Sequence, residues 1–348
     1  MIFHNILIEW YLKKNRILPW RETKQPYPIW LSEVILQQTQ VSQGLPYFER
    51  FLARFPTVFD LAEADEQEVL KLWQGLGYYS RARNLHQTAK HVANELKGRF
   101  PSNYKGLLGL KGVGDYTASA IASICFNEPA AVVDGNVYRV LARYFGIKTP
   151  INSSKGIKEF KALAEELMDS DRPGTYNQAI MDFGALQCKP KTPRCESCPL
   201  SSSCTALALD SIATLPVKQK KIKIKKRYLN YFFVKTSTHE TIIQERTGKG
   251  IWQGLYEFPV IEMDKEANVE ELQREDKFRQ LFPQATTPFL FNEKMIVHKL
   301  SHQHLYTKFW IVEDLALMGT RIPIAALNKY PVPVLIDNFL KAFLNNTN

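Results

Sequence analysis

The sequence predicts two domains of different class: a mainly α domain over residues 1–214 and an α+β domain over 228–348, joined by a basic linker at 215–227. Three observations carry this. Apolar residues recur at helical spacing through the first 204 residues. Short β-branched and aromatic runs follow residue 228. Between them Pro216–Arg227 reads PVKQKKIKIKKR, seven basic residues in twelve. A chain of 348 residues is long enough for two cores.

The helical stretches are Ile2–Leu12, Trp30–Leu36, Val69–Trp73, Ala82–Leu96, Ala118–Ile124, Val137–Phe145 and Ile157–Leu167. Asp65 and Asp134 stand where helices begin, and Gly98 follows the end of one. Strands are expected at Tyr228–Val234, Glu240–Glu245, Met295–His298 and Thr307–Val312. Helices near Val269–Leu281 and Val334–Leu344 lie among them, which makes the second domain α+β. Lysine and isoleucine alternate in the linker, which suits an edge strand as well as phosphate contact.

A net charge of +10 favours a polyanionic partner, nucleic acid before membrane. The first residues lack the order of a signal peptide, and no apolar run approaches the roughly 20 residues that span a bilayer. The expectation is an intracellular, cytoplasmic protein with no membrane contact. Four of the five cysteines lie within 17 residues, as Cys188, Cys195, Cys198 and Cys204. In a reducing compartment such crowding points to a metal site rather than disulfides. Zinc ribbons pair two tight Cys-x-x-Cys elements, whereas here the gaps are six, two and five. That favours a cubane cluster and leaves zinc open. Cys125 sits in an apolar run and reads as a core residue.

Residues 107–124 read LLGLKGVGDYTASAIASI. Gly112 and Gly114 would let backbone N–H groups approach a phosphate oxygen beside a helix N-terminus. By itself Gly-x-Gly marks only a turn. An apolar segment on either side makes it helix, hairpin, helix. Twenty residues on, Asp134 opens a helix; as an isolated residue it is an N-cap.

Together these features resemble the endonuclease III (helix-hairpin-helix) superfamily of DNA glycosylases. The cysteine spacing is that of its cluster loop, implying a 4Fe-4S cluster on the four cysteines. Lys189, Lys191 and Arg194 between them suit phosphate contact. The resemblance also implies a monovalent or calcium ion at the hairpin, and makes Asp134 the catalytic aspartate. Bifunctional members carry a lysine nucleophile two residues after the second hairpin glycine. Here that residue is Tyr116, which cannot form an imine.

Residues 19–49, with Trp30-Leu-Ser-Glu-Val-Ile-Leu-Gln-Gln-Thr-Gln-Val41, closely resemble the MutY-type adenine DNA glycosylases, which remove adenine mispaired with 8-oxoguanine. The resemblance makes Glu33 the acid that protonates adenine at N7. Apolar neighbours would raise its pKa to suit that work. It puts Trp20, Arg21, Leu36 and Gln38 around the adenine or in the gap it leaves. Tyr78, in Gly77-Tyr-Tyr-Ser-Arg81, would intercalate beside the lesion. Tyr116 and Asn136 would contact the sugar and Asp134. Residues 173–187 also match; Gln178 stands where some relatives carry glutamate, a residue that helps hold adenine and water.

Residues 228–348 resemble the MutT (Nudix)-like domain of the same enzymes, most clearly at Trp252–Pro259. The acidic helix of a working Nudix hydrolase is missing. Glu270 and Glu271 read as a solvated face, and no nucleotide hydrolysis is expected. Leu300-Ser301-His302 aligns with a Phe-Ser-His loop that reads 8-oxoguanine, with leucine replacing phenylalanine. Ser301 can donate and accept, which suits N7–H and O6 of the lesion. His298, His302 and His304 have metal-like spacing, but alternation on a strand accounts for it. The implied protein is a monomeric, monofunctional repair glycosylase acting on duplex DNA, nucleoid-associated if its source is bacterial.

Overall fold

A computed structural model describes residues 3–219, 224–283, 287–313 and 321–346. Residues 220–223 of the basic linker lie outside them. Twelve helices precede the first strand among the described residues: α1 (Phe3–Lys14), α2 (Pro26–Leu36), α3 (Val41–Arg54), α4 (Val58–Glu63), α5 (Glu66–Leu72), α6 (Ser80–Asn94), α7 (Tyr104–Leu108), α8 (Asp115–Phe126), α9 (Gly135–Phe145), α10 (Ser154–Glu166), α11 (Pro173–Asp182) and α12 (Thr205–Ala208). By contacts the chain divides into Met1–Glu63 with Asn84–Lys220, and Ala64–Arg83 with Lys221–Asn348.

In the first unit α1, α9 and α11 share one apolar core, with Leu7, Val140, Leu141, Tyr176, Ile180 and Phe183 buried in it. The hairpin between α7 and α8 has the expected form. Gly112 has φ +77°, and a Cβ there would meet Asn84 Cβ at 2.7 Å. Only glycine satisfies both constraints. Gly114 is extended and faces open space at the start of α8. Helix α3 lies where the sequence suggested none. Gln38, at φ +56°, breaks the chain direction after α2, and an amphipathic helix starts again at Val41. Cys125 is half-buried at the end of α8 rather than in the core.

The second unit holds β1 (Lys225–Lys235), β2 (Glu240–Ile242), β3 (Gln244–Glu245), β4 (Tyr256–Glu257), β5 (Val260–Met263), α13 (Val269–Arg274), α14 (Asp276–Leu281), β6 (Phe289–Leu290), β7 (Ile296–Lys299), β8 (Gln303–Glu313), β9 (Arg321–Pro323) and α15 (Val334–Asn346). β1 and β8 pair in parallel from Lys225↔Gln303 to Lys235↔Glu313 at the sheet's centre. β1 is buried from Leu229 to Val234, as a central strand is, whereas β8 alternates largely between buried and half-buried residues. Successive strand residues face opposite ways. Phe232 therefore meets Phe278 and Phe282 on the side of α14, while Phe233 meets Phe339 and Phe343 of α15. The sheet is a layer between helices. The helix expected at 269–281 is two, split at Glu275, whose backbone is extended. Glu271 is committed to a capping box with Asn268 and an ion pair with Lys265. Among the described residues no helix is long and apolar enough to cross a membrane.

Candidate active site

Helix α2 begins at Pro26, whose fixed φ suits a first helical position, and carries one charged residue, Glu33. Its apolar neighbours draw the helix into the core and Glu33 with them, leaving it 7% exposed. Asp134 is the N-cap of α9. Its Oδ1 accepts from the backbone N–H groups of Asn136 and Val137, both at 2.8 Å. Asn136 Nδ2 donates to its Oδ2 at 2.7 Å. Capping thus aims the carboxylate and supplies it with donors, as in a helix-end anion site.

The two carboxyl groups line one cavity of about 360 Å³ in the first unit, together with Tyr116, Asn136 and Gln178. Trp20, Arg21 and Leu36 line it too, and Trp20 is fixed edge-on against Phe48 at 5.0 Å. Gln38 does not; it is exposed, and Thr39, Gln40 and Val41 take that stretch of wall. Burial pushes the Glu33 carboxyl up to about 7, opposed by a hydrogen bond from Tyr116 and aided by the charge of Asp134. Burial also raises Asp134, against the pull of its three hydrogen bonds and of Arg139. Burial and the two carboxylates hold the Tyr116 hydroxyl well above the ordinary tyrosine value. Near neutral pH the cavity therefore offers a protonatable acid, a donor-supplied carboxylate and a neutral phenol.

Sequence reading missed the group behind this wall. Asp182 is completely buried and receives Arg21 in a two-bond fork, Nη1 at 2.7 Å and Nη2 at 2.9 Å. Arg16 binds it through its backbone N–H, Nε and Nη2. These cations hold the Asp182 carboxyl below its ordinary value in spite of burial. The 2-bond fork is what arginine, not lysine, supplies. Nothing local in the sequence signals it, because 161 residues separate Arg21 from Asp182.

Two arginines of α9 lead from this site to the cysteine loop. Arg139 donates to Asn136 Oδ1 at 2.8 Å and to the Cys188 carbonyl at 2.7 Å. Arg143 donates to the carbonyls of Lys189 and Pro190, both at 2.8 Å, and reaches Cys188 Sγ at 3.5 Å. A π-helical turn, Phe183–Gln187, delivers the chain to Cys188, and a Cβ on Gly184 would meet Asn136 Cβ at 2.6 Å. Cys188, Cys195, Cys198 and Cys204 are unbridged thiols lining one cavity with Val140, Phe183 and Leu200. This all-sulfur donor set in a mostly apolar wall suits an iron–sulfur group. Among the described residues no three His, Cys, Asp or Glu side chains close on a single metal ion.

In the second unit Tyr78, Ser301 and His302 line another cavity, of about 680 Å³, with Trp252 and Arg227. Tyr78 is 47% exposed and has φ +48°, a strained backbone for a bulky side chain. Ser301 Oγ lies 3.2 Å from His302 Nδ1 in the exposed turn between β7 and β8.

The family profile described as "HhH-GPD superfamily base excision DNA repair protein" matches residues 31–166, and a NUDIX domain profile matches 230–342. An adenine DNA glycosylase of Buchnera aphidicola subsp. Schizaphis graminum is 37% identical over 259 residues, 74% of each chain. Another, from Buchnera aphidicola subsp. Baizongia pistaciae, is 34% identical over 90% of this chain and 86% of that one. The chain belongs to the adenine DNA glycosylases. The human adenine DNA glycosylase is 44% identical over 213 residues, 59% of this chain and 39% of that one. Among solved structures, a thermostable thymine-DNA glycosylase matches with TM-score 0.55 at 32% identity, over 60% of this chain and 95% of that one. An endonuclease III–DNA complex matches with TM-score 0.52 at 21% identity, over 60% and 94%, which shows a shared fold. As an adenine DNA glycosylase the protein is a base-excision repair enzyme that binds DNA and hydrolyses N-glycosyl bonds.

Replacing Asp182 with Asn leaves two arginines without their buried counter-charge. We expect a loss of about 3–5 kcal/mol of stability at neutral pH, read by urea unfolding. Because the folded Asp182 pKa is depressed, its contribution is present above the unfolded carboxylate pKa and disappears as pH falls through the folded value. The gap between wild type and variant therefore closes in acid, and a gap that is constant with pH would refute the pairing.

Proposed function

We propose that this glycosylase excises adenine mispaired with 8-oxoguanine, and also adenine opposite guanine, by hydrolysis after base flipping and without a Schiff-base lyase step. The observation that carries this is the shared cavity of Glu33 and Asp134, with Tyr116 where bifunctional relatives carry lysine. A flipped adenine fits such a pocket. Glu33, with a pKa near 7, passes its proton to N7. The electron pair of the C1′–N9 bond then leaves with the base, and positive charge builds on the sugar. Asp134 stabilises that charge or captures it as a covalent adduct. Water completes hydrolysis, and an abasic site remains. Asn136 keeps Asp134 in place through its 2.7 Å hydrogen bond. Trp20, Arg21, Leu36 and Gln178 hold the base, and Gln38 fills the gap left in the duplex.

For lesion recognition we assign Ser301 and His302, with Tyr78 as the wedge. Their common cavity supports that reading. Gly112 and Gly114 approach a phosphate, with a monovalent or calcium ion at the hairpin. The four cysteines would hold a 4Fe-4S cluster, which when bound ties the loop from Cys188 to Cys204 into one rigid unit. The loop's exposed Lys191 and Arg194 are then presented to phosphates. Along the sequence we propose domains at 1–214 and 228–348 joined at 215–227, with residues 64–83 grouping by contact with the second and β1 starting within the linker at Lys225, and an enzyme that works as a monomer.

The test is single-turnover cleavage of a duplex holding one 8-oxoguanine:adenine pair. The wild type should release adenine. Glu33→Gln and Asp134→Asn should each slow release by at least about a hundredfold. Borohydride should trap no adduct, and the purified chain should carry about four irons. Full activity in both variants would overturn the mechanism. Zinc without iron would overturn the cluster.

A further inference from the structure

We propose that Tyr11 is a positioning residue of the base pocket: its hydroxyl holds the Gln178 carboxamide in the one orientation that turns the Nε2 donor into the cavity. This rests on the reading of that cavity as the seat of the flipped base. Tyr11 Oη donates to Gln178 Oε1 at 2.7 Å, although the two residues are 167 apart in sequence. Gln178 lines the cavity with Glu33 and Asp134, while Tyr11 stands behind it on α1, 6% exposed.

A carboxamide is nearly symmetric in shape, so its neighbours decide which atom faces which way. The phenol proton needs an acceptor. The carboxylate that acts on Tyr11 is Asp182, which already accepts from Arg16 N, Nε and Nη2 and from Arg21 Nη1 and Nη2. The Arg21 guanidinium lies 5.6 Å from the Tyr11 ring centre and offers only donors. With that carboxylate already occupied, the Tyr11 hydroxyl donates to Oε1 of Gln178. Turning the amide over would put its NH₂ against the phenol and orphan the phenol proton in a buried place, at a cost of about 1–3 kcal/mol. Burial keeps the phenol protonated, because it raises the Tyr11 pKa.

The part of the wall that Gln178 supplies therefore presents an amide N–H to the cavity it shares with Glu33 and Asp134. Its complement is a lone pair on a purine ring nitrogen, not an exocyclic amino group. Removing Tyr11's hydroxyl leaves Gln178 in place but lets its amide turn, so the pocket loses a fixed donor without losing a side chain.

A double-mutant cycle tests this, by single-turnover kinetics at saturating enzyme with Tyr11→Phe, Gln178→Leu and the double variant. Tyr11→Phe should slow base release about tenfold with Gln178 present, the worth of one hydrogen bond, and less than about twofold with Leu at 178. Equal slowing in both backgrounds would mean a general packing role and would overturn the proposal, as would no slowing in either. Gln178→Leu alone retains Tyr11 and should be slowed at least as much as Tyr11→Phe. A Gln178→Leu enzyme as fast as wild type overturns the proposal even if Tyr11→Phe fails to fold. The cycle uses whichever base the wild type releases, so failure of the adenine reading and failure of this one are separate results.

Discussion

Taking three carboxyl groups out of water in one helical unit is the constraint on which the rest depends. Each has a different degree of compensation. Asp182 meets two arginines and is held below its ordinary pKa. Asp134 meets a helix N-terminus and the Asn136 amide, which only partly offset its burial. Glu33 meets chiefly a neutral phenol, and burial wins, leaving its pKa about 7. The gradient separates the roles. The fully paired group is a scaffold, the donor-supplied one remains a candidate carboxylate, and the nearly unpaired one is a candidate acid. Two titratable groups driven apart by their surroundings are what acid-assisted bond cleavage requires.

The chain assembles this gradient from distant segments. The segment between α1 and α2, together with α2, α8, α9 and α11, brings side chains to the same small volume, and α1 backs it through Tyr11. Backbones must approach closely for that, and Gly184 against Asn136 is one place where a side chain would prevent it. Arg139 then extends the same hydrogen-bonded chain to the Cys188 carbonyl. Packing of the cysteine loop and orientation of Asp134 therefore share one arginine, so disturbance of either end reaches the other through few bonds.

Much of this was legible in the sequence, for local reasons. Asp134 reads as an N-cap because capping is a short-range event, and its hydrogen bonds to residues two and three further on bear that out. Glu33 stands out as one charge in an apolar helix. β1, β7 and β8 fall where β-branched and aromatic runs lie, within a few residues at each end. What could not be read is non-local. The clamp of Arg16 and Arg21 on Asp182, the Tyr11–Gln178 bond and the grouping of residues 64–83 with the second unit depend on tertiary contact across much of the chain. The short strands β5 and β9 draw their definition from pairing with β1 and β2 rather than from their own composition. Helix α3 was missed because the break at Gln38 obscures the renewed period after it.

Burial of Glu33 outweighs the Tyr116 hydrogen bond and the charge of Arg21, and keeps the carboxyl protonated close to neutral pH. Carbon-13 NMR of glutamate-labelled enzyme, with the Glu33→Gln spectrum used to assign the resonance, measures this directly. The expected result is a Glu33 carboxyl that titrates with a midpoint near 7. A midpoint near the ordinary glutamate value of about 4.3 would contradict it.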